Sequence, residues 1–107
     1  MGKIYLIVEL NSSPIRYKIG ITKGDAYKRL KALQTGASNE LLLLNEYHSP
    51  NYRKIEGALH SKYRRFSTEG GKEWFELPDI EILKFENECK IIDKQITILQ
   101  ESGNPYI

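Results

Sequence analysis

Cysteine is nearly absent from this chain. Cys89 is the only one in 107 residues, so no internal disulfide can form and the bridge-stapled scaffolds of small secreted proteins are excluded. Long hydrophobic runs are missing too. The longest, Ile4 to Val8, is strand-sized and far too short to span a bilayer. The first residues lack the charged-then-apolar layout of a signal peptide, and a reducing, cytoplasmic location is the expectation. One cysteine and two distant histidines cannot assemble the N and S ligands of a zinc site. No internal repeat, low-complexity tract or linker interrupts the chain, so residues 1–107 are read as one domain.

What is present is an ordinary globular balance, 40% hydrophobic and 28% charged, with its charge unevenly distributed. Met1 to Arg65 carries 12 Lys and Arg against 5 Asp and Glu, whereas Phe66 to Ile107 carries 4 against 9. A basic two-thirds joined to an acidic tail suits one face turned to a polyanion. It also suits helices that each keep a solvated charged side. Nucleic acid is thereby raised as a partner without being established.

Lys3 to Glu9 is rich in β-branched and aromatic residues and reads as a strand. Asn11-Ser12-Ser13-Pro14 is a cluster of turn formers, and Ile15 to Ile21 reads as a second strand, so the two predict an antiparallel hairpin. Asp25 offers an N-cap to a basic first helix with Ala26, Leu30 and Leu33 at helical spacing. Gly36 stands where a left-handed glycine would close that helix. Glu40 to His48, with its run Leu41 to Leu44, predicts a buried third strand. Ser49-Pro50 fits an N-cap and first helical proline for a second helix reaching about Arg65, with an apolar stripe of Tyr52, Ile55, Leu59, Tyr63 and Phe66. Gly70-Gly71 marks a loop before the short segment Trp74-Phe75-Glu76-Leu77. One last packing helix over 77–103 carries Ile82, Phe85, Cys89, Ile92, Ile96 and Leu99 on one side and ends at Gly103-Asn104-Pro105.

Four short segments resemble the GIY-YIG nucleases. Ile4-Tyr5-Leu6 followed by Tyr17-Lys18-Ile19-Gly20 is similar to the paired strands that give the family its name. Arg29 to Gly36 resembles its first-helix arginine segment, and Ile55-Glu56-Gly57-Ala58-Leu59-His60 its metal-binding glutamate helix. Glu73-Trp74-Phe75-Glu76-Leu77 resembles the closing strand of a phage- and virus-rich branch. The resemblance spans Lys3 to Leu77. It implies an α+β fold, a small central antiparallel sheet of about three strands packed with helices, and a divalent-metal-dependent endonuclease.

The chemistry is consistent with that family. Cutting a phosphodiester requires an activated water and neutralisation of charge building on phosphate oxygens. Glu56 can ligate Mg²⁺ or Mn²⁺, and Mg²⁺ keeps several waters and takes only one or two carboxylates. By its residue type alone Glu56 reads better as a surface glutamate paired with His60 one turn on, and the resemblance reverses that. The family position makes Arg29 a phosphate grip through its planar guanidinium. Tyr5, with Tyr17 or Lys18, would position the water, although a phenol near pKa 10 is a poor base without neighbouring cations and strand tyrosines also serve packing. His60 would either assist proton transfer or pair with Glu56. Lys18, Lys23, Lys28, Lys31 and Arg53 are candidate contacts to the nucleic-acid backbone, where solvation alone also accounts for each.

The chain departs from the family pattern in places. Lys3 stands where the family name has glycine. Counting back from Gly20, Lys18 takes the place of the second motif's tyrosine and Tyr17 falls one residue early, which points it to the opposite face. Ile21 stands where many relatives carry a basic residue, with Lys23 close by. The late asparagine of several nucleases has no counterpart. The expectation is DNA cleavage, with RNA left open and with a homodimer or partner protein choosing the target. The first alternative is a non-catalytic nucleic-acid-binding module of the same fold. The second is a protein-interaction domain that docks through its acidic last helix.

Overall fold

A computed structural model of the protein describes residues 1–68 and 71–103, with the backbone alone at 71 and 72. The hairpin forms as its sequence dictates. β1 (Gly2–Glu9) and β2 (Arg16–Thr22) pair antiparallel, placing Tyr5 opposite Gly20 and Ile7 opposite Lys18. In the turn, Asn11 takes the left-handed φ of 63° that asparagine tolerates better than most residues. The Ser12 hydroxyl donates to the Glu9 carbonyl at 2.9 Å and accepts the Arg16 amide at 3.2 Å.

The sheet is wider than the three strands expected. β3 (Leu41–Ser49) pairs with the far side of β1, β5 (Gly71–Phe75) with β2, and β4 (Ser67–Thr68) with β5. The order is β3-β1-β2-β5-β4, antiparallel throughout. A two-residue β4 has no alternation to read, and the β2–β5 pairing joins distant parts of the chain, so neither leaves a local signal. β3 is also not buried as its leucine run suggested. It is an edge strand with a bulge opposite Leu6 and Ile7, and Leu42 and Leu44 are 41% and 45% exposed.

Period-two alternation in β1 feeds two cores, one on each side of the sheet. Tyr5 and Ile7 pack with Leu30, Leu33, Leu41 and Leu43 beneath α1 (Ala26–Thr35). Ile4, Leu6 and Ile19 pack with Tyr52, Ile55 and Leu59 of α2 (Tyr52–Lys62), and with Phe85, Cys89 and Ile96 of the C-terminal helix.

Asp25 caps α1 as expected, accepting the Tyr27 amide at 2.8 Å. Gly36 closes it at φ −97°, not in the left-handed region. α2 begins at Tyr52, later than Pro50, with Asn51 at its N-cap, because the Ser49 hydroxyl accepts the Asn51 amide instead of capping the helix. It stops at Lys62 and a 3-10 turn over Arg64–Phe66 follows. The single last helix is in fact two, α3 (Asp79–Leu83) and α4 (Phe85–Glu101), separated at Lys84. Gly70 and the Asn104-Pro105 terminator lie outside the described residues, and Gly71 belongs to β5. The whole is an α+β fold of five antiparallel strands and four α-helices among the described residues.

Candidate active site

β2 and β5 share only two paired positions, Tyr17 with Phe75 and Lys18 with Trp74. From Ile19 onward β2 has no ladder partner on that side among the described residues, and α2 covers the gap. His60 supplies the seal. Its Nε2 lies 2.8 Å from the Ile19 carbonyl oxygen, and since a carbonyl only accepts, Nε2 carries the proton and donates it. The imidazole ring leans on Phe75, 5.4 Å between centroids. A ring held this way has only Nδ1 left to receive a proton.

Glu56 lies one turn before His60, beside the buried Ile55. Its side chain is 16% exposed, and Oε2 is 4.0 Å from His60 Nε2, beyond hydrogen-bonding distance. Oε2 is fully buried and has no hydrogen-bond partner, alone in this among the described side chains. Burial pushes the Glu56 carboxyl above the ordinary carboxylate range. The His60, Lys18 and Arg53 charges draw it back, and the Glu73 charge raises it further. Buried polar groups are nearly always partnered in native proteins, so this oxygen is open to a cation, a proton or a water.

Lys18 shares a face with Tyr5 and Gly20. It is buried, 7% exposed, and its ammonium pairs with Glu73 Oε2 at 2.5 Å and stands 5.5 Å from the Trp74 ring. Tyr5, 1% exposed, is within the core, so the phenol expected to position the attacking water does not open to solvent. The ring lies over Gly20, where an added Cβ would collide with both the phenol oxygen and the ring. That contact is the physical reason this strand needs glycine there. The Tyr5 hydroxyl ends one residue from the carbonyl that holds His60.

The sequence-derived residues therefore divide. Glu56 and His60 lie together on α2 at the open end of β2, where the Lys18, Arg53 and Glu73 charges act on Glu56, and Tyr5 lies beneath Gly20 on the α1 side of the sheet. Tyr17 faces the other way, opposite Val8 and against the core beside α2, with its phenol pushed up by burial and by the Asp79 charge. The one-residue offset separates it from Tyr5. Arg29, Lys23, Lys28 and Lys31 are exposed and make no ion pair among the described residues. His48 pairs with Glu46 at 2.8 Å on exposed β3. The Cys89 thiol is buried and pushed up to about 12, which removes it as a nucleophile at neutral pH.

Sequence reasoning missed Glu73. Its alternation with Trp74 was legible, but its approach to Lys18 depends on a pairing between distant strands. Among the described residues no three His, Cys, Asp or Glu side chains come together as a metal cage. The donor set at Glu56 is a lone hard carboxylate oxygen, which fits Mg²⁺ or Mn²⁺, ions that retain water ligands, and does not fit zinc.

Residues 2–91 match the T5orf172 domain, so the chain belongs to the T5orf172 domain family, a phage-associated domain in a nuclease-related group. The matched region runs past Leu77 to take in α3 and the first part of α4. No curated protein and no solved structure matches the chain.

Proposed function

We propose that this member of the T5orf172 domain family is a divalent-metal-dependent endonuclease that hydrolyses DNA phosphodiester bonds at the open end of β2. The observation that carries the reading is the buried, unpartnered Oε2 of Glu56 beside two cationic side chains, Lys18 and Arg53. Glu56 is the residue that would hold Mg²⁺ or Mn²⁺, and the ion would neutralise charge developing on the scissile phosphate.

The chain's own groups have separable tasks in this reading. Arg53, exposed on the same helix, binds non-bridging phosphate oxygens, and Arg29, exposed on α1 across the sheet, is left to the flanking backbone. Lys18 stands where the second motif's tyrosine would be. Its ammonium, held by Glu73, donates a hydrogen bond that orients the attacking water. The Tyr5 ring, buried beneath Gly20, packs the strand that carries Lys18. His60 acts as a positioning residue, since its bond to the Ile19 carbonyl holds the α2 segment bearing Glu56 against the sheet. Tyr17, whose ring packs into the core on the α2 side of the sheet, away from Tyr5 and Lys18, is assigned no task in this reading.

The replacement of the motif tyrosine by an ion-paired lysine supports a second reading, a nucleic-acid-binding module without cleavage. Nicking of supercoiled plasmid in Mg²⁺ or Mn²⁺ separates the two. Cleavage should vanish with EDTA, and Glu56→Gln should lower it by about 10²- to 10³-fold while circular dichroism stays native. Plasmid binding without nicking in either ion would leave the binding module as the answer.

A further inference from the structure

On the α1 side of the sheet lies a cavity of about 460 Å³ lined by Trp74, Glu9, Arg16, Leu33, Gly36 and Ala37, among others. Its size falls within the roughly 300–1,000 Å³ range of small-molecule sites. One wall is aromatic. Trp74 is only partly buried, and the Arg16 guanidinium stands 5.1 Å from its ring. A second wall is polar. Glu9, 7% exposed, takes both Arg16 contacts on Oε1, from Nε at 3.0 Å and Nη2 at 2.8 Å. Small residues at the C-terminal end of α1 complete the wall opposite and leave the space unfilled.

We infer that this cavity receives one unstacked nucleobase of a nucleic-acid strand, stacked on Trp74 and addressed at its edge by Glu9 and Arg16. The inference rests on the reading of the chain as a nucleic-acid-binding protein, and it adds a base-binding site to the backbone contacts. An aromatic platform flanked by cations is how single-stranded bases are held without base pairing. A fixed acceptor and donor wall can discriminate base edges. Lys18, on the same face and 5.5 Å from the same indole, adds a further cation beside the platform.

Trp74 is the only tryptophan in the chain, so its emission reports on the cavity directly. In EDTA, a short single-stranded DNA should quench Trp74 fluorescence. The same oligonucleotide with one abasic position, scanned along its length, should lose most of the quench at a single register. Trp74→Leu should weaken binding, read by anisotropy of a labelled oligonucleotide, about 10-fold or more, with Trp74→Phe retaining most of the affinity. Because Trp74 also packs against the core, the abasic scan on the unaltered protein stands as an independent arm. Binding with unchanged emission and no abasic effect would overturn the base site while leaving the nuclease reading intact. No binding at all would overturn it as well. Base-dependent quenching in a protein that never nicks plasmid would keep the base site and remove the nuclease.

Discussion

Asp93 and Glu56 are partly buried carboxylates on two helices that pack the same face of the sheet, and the fold treats them in opposite ways. Asp93 accepts from the Tyr47 hydroxyl at 2.8 Å, the Ser49 hydroxyl at 2.9 Å and the Asn51 amide at 2.8 Å. Burial pushes its carboxyl up, yet the hydrogen bonds from Asn51, Tyr47 and Ser49 outweigh that and hold it below the ordinary value. At Glu56 burial also pushes up, and here it prevails over the His60, Lys18 and Arg53 charges. One carboxylate seals the seam between α4 and β3 with every need met by protein donors. The other keeps a buried oxygen that no described group satisfies. The contrast separates a carboxylate that serves the fold from one we assign to a ligand.

The largest effect expected is at Asp93. Asp93→Ala strips three donors of their acceptor and should destabilise the protein by roughly 3 kcal/mol in urea unfolding. A loss below about 0.5 kcal/mol, typical of ordinary surface substitutions, would show that the seam is not held this way. Gly20→Ala comes next. The new Cβ must displace the Tyr5 ring, at about 2 kcal/mol, and adding Tyr5→Leu to make room should recover part of the loss. Additive effects of the two changes would mean that they do not meet.

A smaller effect, of opposite sign, is expected at Glu56. With no divalent ion present, Glu56→Gln should stabilise the protein at neutral pH by about 1 kcal/mol, because it removes a buried, unmatched charge. The smallest effect is the pH dependence of that gain. Since the folded carboxyl is raised, ionising it costs stability that is fully lost above its folded pKa. The gain should therefore shrink as pH falls through the carboxylate range and disappear below the ordinary glutamate value. Asp93 runs the other way. Its contribution is present above the ordinary aspartate value and is lost as pH drops through its depressed folded pKa. Parallel pH profiles for Glu56→Gln and Asp93→Asn, each against the unaltered chain, would break the comparison.

Much of the Glu56 region was legible in the sequence, because it is built from local patterns. Alternation in the hairpin put Lys18 and Gly20 on one face and flagged Tyr17 as one residue out of step. The α2 stripe of Tyr52, Ile55 and Leu59 placed Glu56 and His60 on its margin. What could not be read depended on groups far apart in the chain. The Asp93 seam joins α4 to β3 and to the start of α2, and Asp93 has no neighbour in sequence that hints at it. The Lys18–Glu73 pair and the Arg16–Trp74 contact exist only because β5 docks on β2. The four leucines of β3 signalled burial, yet β3 ended at the sheet edge, since strand order is a property of the whole sheet.

The central claim is that the unsatisfied oxygen of Glu56 is there for a divalent cation, and thermal unfolding at neutral pH with and without Mn²⁺ tests it most directly. The midpoint of the unaltered protein should rise as Mn²⁺ is added, by mass action on the folded state, while that of Glu56→Gln starts higher and stays unchanged. An equal Mn²⁺-dependent rise in both proteins, or none in either, would contradict it.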